Sequence, residues 1–200
     1  FVAEGQKRAT LSAADRALVS SRVDNQPVQT IAASALEMIK RGSAILPGGT
    51  QVKSAKSGLN YLITGAHSMA LVSSSEDATQ FGLPKSRTVT SADLAGYKQN
   101  AKLSGSKVIC NGQNLVAIGG SYYKVTEEVA NHYAGGVITL DDIACGRLKI
   151  SATELGRFVR TPDKVFWLIQ KGQRRQIASA AKYQELRGDL LPAVNVDYYF

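Results

Sequence analysis

One stretch of the chain decides the fold: Val165-Phe-Trp-Leu-Ile-Gln-Lys-Gly-Gln-Arg-Arg-Gln-Ile-Ala-Ser179. An apolar run from Val165 to Ile169 precedes a turn at Lys171-Gly172, and a basic run from Arg174 to Ile177 follows. Two short runs around a glycine turn are typical of a β-hairpin. Ser179 then opens a helical pattern, since serine side chains accept hydrogen bonds from the unpaired N–H groups of a first helical turn. The stretch predicts two strands followed by a helix.

The same pattern recurs upstream. Gly5-Gln-Lys-Arg8 aligns without a gap on Gly172-Gln-Arg-Arg175, and Tyr61-Leu-Ile63 aligns on Trp167-Leu-Ile169. A looser copy runs from Leu115 to Val125 around a Gly-Gly turn. The copies then reach a serine or threonine that predicts a helix start, namely Ser12, Ser73, Thr126 and Ser179. Ser73 is followed three residues later by Glu76, which predicts a capping box.

The repeats divide the chain into a single repeat domain of residues 1–200, with a partial copy at 1–42 and complete copies at 43–103, 104–151 and 152–200. A β-prone triplet follows each helix, beginning with Val28-Gln-Thr30 in copy 1, so one unit reads strand, strand, strand, short helix, strand. We therefore expect a mainly β fold with short helices, of the α+β class. Four antiparallel strands per unit are typical of a propeller blade and favour a small closed, propeller-like ring. An open array of strand–strand–helix units is the alternative.

Charge supplies the first functional indication. The 200 residues carry a formal net charge of +8, and the stretch from Gly156 to Arg187 holds eight basic and two acidic residues. This imbalance predicts attraction to polyanions. Arg174 and Arg175 point to opposite faces of their strand, because successive strand side chains alternate. The candidate ligand-binding residues are Lys7, Arg8, Lys171, Arg174 and Arg175, together with the aromatic Tyr122 and Tyr123.

The stretch from Val165 to Ser179 resembles a tandem repeat of secreted actinobacterial cell-wall-associated proteins, whose pattern is V-Y-L-I-x-x-G-x-K-R-x-I-x-S. The resemblance implies a secreted or surface-located, wall-associated module that is not catalytic. It predicts a bacterial cell-wall glycan or an anionic wall polymer as the partner, with another envelope protein as a further candidate. Copy 3 departs from the pattern, because Tyr122-Tyr123 replaces the basic pair.

The cysteines and histidines bear on chemistry. Cys110 and Cys145 both lie in copy 3, and the extracellular setting implied by the resemblance predicts a disulfide between them. A catalytic thiol or a zinc site needs suitably placed histidines, and the sequence has only His67 and His132. The sequence contains no phosphate-binding loop, no nucleic-acid-binding motif and no apolar run long enough for a membrane span. We therefore expect no catalytic residue, no metal or cofactor, no nucleic-acid partner and no membrane span.

The sequence leaves three functions open, of which an enzyme with its site spread over the ring centre is the least favoured. The first is a non-catalytic extracellular module that binds cell-wall glycan or an anionic wall polymer. The alternative is a protein–protein interaction or assembly scaffold of a secreted or surface protein. Binding to walls that weakens with salt favours the first, because salt screens the attraction between charges.

Overall fold

The computed structural model describes residues 2–3, 5–20 and 30–197. Within these residues the chain forms four small β-sheets connected by short helices and loops. Each sheet lies within one of the four copies that the sequence defines. The α+β class is therefore confirmed.

Copies 1 and 2 contribute the first eight strands and four helices of the described chain. In order these are β1 (Val2–Ala3), β2 (Gln6–Lys7), α1 (Ala13–Ser20), α2 (Ala33–Met38), β3 (Lys40–Arg41), β4 (Gln51–Ser54), β5 (Asn60–Gly65), β6 (Ser68–Val72), α3 (Ser75–Gln80), β7 (Arg87–Val89), α4 (Ser91–Leu94) and β8 (Lys98–Leu103). The triplet Val28-Gln-Thr30, which predicted a strand in copy 1, falls mostly outside the described residues, and Thr30 is in no strand.

Copies 3 and 4, like copy 2, place three strands before a helix and a fourth strand. They contain β9 (Lys107–Cys110), β10 (Gln113–Ile118), β11 (Ser121–Lys124), α5 (Glu127–Ala130), β12 (Val137–Leu140), α6 (Asp142–Cys145), β13 (Phe158–Arg160), β14 (Phe166–Gln170), β15 (Gln173–Ile177), α7 (Ala180–Arg187) and β16 (Val194–Asn195).

The fourth strand of each complete copy runs parallel to the first. In copies 2, 3 and 4 the first three strands form an antiparallel meander, and β7, β12 and β16 then pair in parallel with β4, β9 and β13. A helix separates the third strand from the fourth and carries the chain back across the sheet, which is the connection a parallel pair requires. The unit is therefore not the antiparallel blade that the strand count suggested. No sheet of the described residues closes, and the expected propeller-like ring is not observed.

Successive copies share hydrophobic cores. In β10, Leu115 and Ala117 pack with copy 2, whereas Val116 and Ile118 pack with copy 4. This division follows from strand geometry, because successive side chains point to opposite faces of a sheet. Both faces of β10 are therefore buried, and the sheets of copies 2, 3 and 4 stack in chain order. Leu11 of copy 1 packs in turn against the core of copy 2.

The outer face of copy 4 is covered by its own helix. The ring of Tyr183 in α7 stacks on Phe166 with centroids 4.3 Å apart and meets Phe158 edge-on at 5.5 Å. Ile177 completes this small cluster. The guanidinium of Arg160 lies over Phe166, 5.3 Å from the ring centroid. Aromatic rings and a cation therefore line the outer face of copy 4, and no other sheet of the described residues stacks on that face.

The predicted helix starts are confirmed in three copies and displaced by one residue in the other. Ser12, Thr126 and Ser179 each accept a hydrogen bond from the backbone N–H three residues later. In copy 2 the cap is Ser74, which forms a capping box with Asp77, so the prediction of Ser73 is wrong. A register shift between Ile63 and Gly65 adds one residue to the hairpin and displaces everything that follows.

Candidate ligand-binding surface

Copy 4 exposes the strand that copies 2 and 3 bury. Residues 171–176 are all exposed, whereas the middle of β6, at Met69-Ala70, and the middle of β11, at Tyr122-Tyr123, are buried. Counted from the hairpin turn, Arg174-Arg175 occupies the positions of Tyr122-Tyr123 in copy 3 and Met69-Ala70 in copy 2. The copies that have a neighbour on each side thus carry apolar or aromatic side chains where copy 4 carries two cations.

Tyr122 and Tyr123 lie in the core. Tyr122 is 4% exposed and Tyr123 is 9% exposed. The Tyr122 hydroxyl donates a 2.8 Å hydrogen bond to the carbonyl oxygen of Phe81, and burial raises the pKa of Tyr122. Neither ring presents a face to solvent on which a sugar ring can stack, so the structure does not bring the two tyrosines to the basic surface.

Arg174 and Arg175 lie on opposite faces of β15, as predicted. Arg174 is paired with Ile169, and Arg175 is paired with Leu168. The Arg174 guanidinium lies 5.2 Å from the ring centroid of Trp167, on the face toward copy 3. Trp167 is half-buried and donates its indole N–H to the Thr161 hydroxyl at 3.0 Å. The indole is therefore fixed, and it provides a platform for the Arg174 side chain.

Lys171 is held at the tip of the same hairpin. Its backbone has a positive φ of 51°, and Gly172 follows with a φ of 74°. The N–H of Gly172 donates to the carbonyl oxygen of His132 at 2.8 Å, and the N–H of Lys171 lies 3.5 Å from Nδ1 of the same residue. These contacts attach the turn to the segment that follows α5, so the exposed Lys171 side chain extends from a fixed backbone.

The basic pair of copy 1 belongs to the other end of the stack. Lys7 donates through Nζ to the carbonyl oxygen of Leu36 at 2.9 Å, and Arg8 is half-buried. Copies 2 and 3 lie between these residues and Arg174 in the stacking order. The structure therefore separates the five predicted cations into two groups, with Lys171, Arg174 and Arg175 forming the basic surface of copy 4.

A cleft of about 530 Å³, here called the central cleft, lies where copies 2, 3 and 4 meet. Copy 2 contributes Glu76 and Asp77, copy 3 contributes Tyr133, and copy 4 contributes Ile169 and Arg174. The sequence predicted only Arg174 among these residues, because the others come together only through the stacking of three copies.

The central cleft has a charged rim and a partly apolar floor. Hydrogen bonds from its own backbone N–H and from the hydroxyls of Ser74 and Ser75 hold the pKa of Glu76 below its usual range. Glu76 is therefore an anion at neutral pH. Tyr133 donates its hydroxyl to the carbonyl oxygen of Gly156 at 2.8 Å, and burial raises its pKa. Tyr133 is 4% exposed, so it is a neutral ring buried beneath the cleft.

The expected disulfide between Cys110 and Cys145 is present. It connects the end of the first strand of copy 3 to the end of α6, and both cysteines are buried. A second cleft, of about 430 Å³, lies beside it and is lined by residues that include Asn111 and Asp142. The disulfide thus links the first strand of copy 3 covalently to the last helix of the same copy.

Within residues 2–3, 5–20 and 30–197, no three His, Cys, Asp or Glu side chains are grouped so as to hold a metal ion. None of the helices in this described part is long and apolar enough to cross a membrane. The described residues place exposed cations at the basic surface and charges of both signs around the central cleft.

Comparison with known proteins adds no assignment. No protein-family model matches the chain, and no curated protein matches it either.

Proposed function

We propose that this chain is a non-catalytic extracellular module that binds an anionic polymer of the bacterial cell wall. The binding surface is the basic surface of copy 4, comprising Lys171, Arg174 and Arg175. One observation carries the proposal: copy 4 places exposed cations where copies 2 and 3 place buried apolar or aromatic side chains. The covered copies show that the strand does not need these cations in order to fold.

Charge supports a polyanion as the ligand. The eight basic and two acidic residues between Gly156 and Arg187 give +6 of the chain's net +8. Guanidinium groups present a planar set of N–H donors that matches phosphate and carboxylate oxygens. The burial of Tyr122 and Tyr123 leaves the basic surface without the two rings that the sequence suggested for stacking on sugars. An anionic polymer is therefore a better fit to this surface than a neutral glycan.

The extracellular location is proposed on two grounds. Disulfides form and persist mainly in oxidising compartments, and the chain has one between Cys110 and Cys145. The repeat of copy 4 also resembles the repeat of secreted wall-associated proteins. Both grounds agree with a partner in the cell envelope.

Sedimentation with isolated bacterial cell walls at low salt tests the proposal. The variant Lys171→Gln/Arg175→Gln removes two exposed cations of the basic surface. Arg174 is kept, because its side chain packs on Trp167. We expect wall affinity to fall at least about tenfold, since each charge-assisted contact contributes on the order of 1 kcal/mol.

The matched control is Lys56→Gln/Lys85→Gln. It removes two exposed cations of copy 2 and changes the net charge by the same amount. We expect this control to sediment with walls almost as the natural chain does. Equal losses in the two variants would show that net charge alone governs binding and would contradict the assignment to copy 4.

A further inference from the structure

The third strand of the repeat has a parallel partner on its outer edge in copies 1, 2 and 3. In copy 1 this strand is β2 and β3 runs parallel to it, and in copy 2 β8 runs parallel to β6. In copy 3, Tyr122 of β11 forms a parallel bridge with Ile150. Each partner is the stretch of chain that follows the last helix of the copy and leads into the next copy. The outer edge of the third strand is therefore a position at which this fold accepts an added strand.

The hydrogen bonds of the added strand recur at one position of the repeat. In copy 1 the N–H of Ile45 donates to the carbonyl oxygen of Ala9 at 2.8 Å. In copy 3 the N–H of Leu155 donates to the carbonyl oxygen of Lys124 at 2.9 Å. Counted from the last glycine of each hairpin turn, Ala9 and Lys124 both occupy the position of Gln176 in copy 4. The carbonyl oxygen of Gln176 is therefore the acceptor that copy 4 offers to an added strand.

Copy 4 has the third strand without such a partner among the residues that the structure describes. β15 is the last strand of its sheet, and β14 pairs with its inner edge. The hairpin closes with Gln170 opposite Gln173, and alternate pairs of an antiparallel ladder exchange hydrogen bonds. Gln176 therefore directs its N–H and its carbonyl oxygen away from β14, and the residue is exposed. An exposed strand edge of this kind is a template for pairing with another chain.

A second copy of the same strand is a poor partner for this edge. Two β15 strands related by a twofold axis would pair in antiparallel, whereas the three internal partners are parallel. Such pairing would also bring the exposed Arg175 close to the cations of the other chain, and like charges on paired strands are destabilising. The eight basic and two acidic residues between Gly156 and Arg187 favour an acidic partner instead.

The two faces of β15 differ in charge, and this difference sets the pattern of an acidic partner. Arg175 is paired with Leu168, on the face that α7 covers. The opposite face borders the central cleft, which Glu76 and Asp77 line. Alternate residues of a strand point to opposite faces. A matching partner therefore carries carboxylates at every second position, on the Arg175 face, and uncharged residues between them.

The geometry of copy 3 shows which N–H groups of such a partner face β15. Ile150 lies opposite Tyr122, so Ser151 lies opposite Tyr123, which occupies the position of Arg175. The N–H of Ser151 donates across the edge to the carbonyl oxygen of Tyr122 at 2.7 Å. The partner residue that lies opposite Arg175 therefore turns its N–H toward β15. In the alternating pattern this residue is an acidic one.

We propose that the outer edge of β15 binds an extended acidic segment of another protein as an added parallel strand. Backbone N–H groups of the acidic residues donate to β15, including to the carbonyl oxygen of Gln176, and their carboxylates lie beside Arg175. The site goes beyond the proposed polymer surface, because it requires peptide N–H donors and a defined strand direction as well as cations.

Isothermal calorimetry with the intact chain and synthetic peptides tests the proposal. The probe is acetyl-Glu-Val-Glu-Val-Glu-Val-amide, and we expect it to bind in a saturable way. N-methylation of the glutamates should weaken binding at least about tenfold, because it removes the donors that face β15. N-methylation of the valines, whose N–H groups face away, should leave affinity unchanged. Equal losses or no loss in the two methylated peptides would overturn strand addition.

The charge of the partner is tested with acetyl-Lys-Val-Lys-Val-Lys-Val-amide. It has the same alternating pattern with the opposite charge, and we expect it to bind at least about tenfold more weakly than the acidic probe. Equal affinity for the two peptides would overturn the choice of an acidic partner. The absence of saturable binding by the acidic probe would overturn the site itself.

Two variants of one residue locate the edge. Gln176→Pro replaces an N–H that faces away from β14, which is a position where edge strands accept proline, and its ring blocks the outer edge. We expect it to weaken binding of the acidic probe at least about tenfold, whereas Gln176→Ala, which keeps the backbone groups, should bind as the natural chain does. Unchanged affinity in Gln176→Pro would show that the peptide binds elsewhere and would overturn the assignment.

Sedimentation equilibrium of the chain alone separates a peptide partner from a second copy. We expect a monomer, because the parallel edge does not pair with itself. A dimer that Gln176→Pro abolishes would assign the edge to a second copy of the chain and overturn the proposal.

Discussion

The contact between Gly82 and Gly120 offers a direct test of how the copies stack. Gly82 follows α3 in copy 2, and Gly120 lies in the hairpin turn of copy 3. The N–H of Gly120 donates to the carbonyl oxygen of Gln80 at 3.1 Å. A Cβ atom added at Gly82 would lie 2.5 Å from the Cα of Gly120 and 3.2 Å from its carbonyl oxygen. The turn of copy 3 therefore leaves no room for a side chain at the helix end of copy 2.

Gly112 provides the matched control for Gly82→Ala. Both glycines have a positive φ, 57° at Gly82 and 76° at Gly112. A Cβ atom at Gly112 would meet nothing within 4 Å. Both substitutions should lower the free energy of unfolding by about 1–2 kcal/mol, because a residue with a side chain is strained in a left-handed backbone conformation. Only Gly82→Ala adds a clash with a neighbouring backbone, which costs about 1–3 kcal/mol more.

We expect Gly82→Ala to lower the free energy of unfolding by about 2 kcal/mol more than Gly112→Ala. Equilibrium urea denaturation measures the difference, followed both by Trp167 fluorescence and by far-ultraviolet circular dichroism. Two probes are needed because repeat arrays can unfold in parts. If the two variants differed by less than about 0.5 kcal/mol, which is the usual scatter for surface substitutions, the helix end of copy 2 would not pack on the turn of copy 3.

Two further predictions concern the interior of the stack. The Cys110–Cys145 disulfide closes a loop with a sequence separation of 35, so its reduction should lower the free energy of unfolding by about 4 kcal/mol. As a control, reductant should cause no further loss of stability in the Cys110→Ala/Cys145→Ala variant. An unchanged urea midpoint after reduction of the natural chain would contradict the prediction. Burial raises the pKa of Tyr133, so above pH about 10 the unfolded chain loses a proton that the folded chain keeps, and stability falls by up to about 1.4 kcal/mol per pH unit. Tyr133→Phe should be less stable than the natural chain at pH 7, since it lacks the hydrogen bond to Gly156. Its free energy of unfolding should also fall less steeply above pH 10. If the free energies of unfolding of the two proteins changed in parallel with pH, this reasoning would be refuted.

The local structure of the repeat could be predicted from the sequence. Ser12, Thr126 and Ser179 are caps whose spacing to the preceding strand marks each helix start, and the hairpin around Lys171-Gly172 follows from its turn residues. The cap of copy 2 was displaced to Ser74 because a bulge adds one residue to its hairpin. Alternating apolar residues identify a strand, but they do not reveal an inserted residue within it.

The arrangement of the strands and copies could not be predicted in the same way. Strand patterns have a period of two residues whichever direction the strand runs, so the parallel pairing of β12 with β9 was not evident. The burial of Tyr122 depends on copy 2, which packs on one face of its sheet. The central cleft combines Glu76 with Arg174, almost a hundred positions apart in the printed sequence, and only the stacking of copies brings them together.

Sedimentation of the intact chain with cell walls that retain or lack their anionic polymers tests the proposed function most directly. The series should run from about 0.1 M to about 1 M salt, over which the screening length falls from about 10 Å to about 3 Å. We predict binding to the complete walls that weakens steadily with salt and is lost when the polymers are removed. Equal binding to both kinds of wall, or binding that persists at the highest salt, would contradict recognition of an anionic polymer by the basic surface of copy 4.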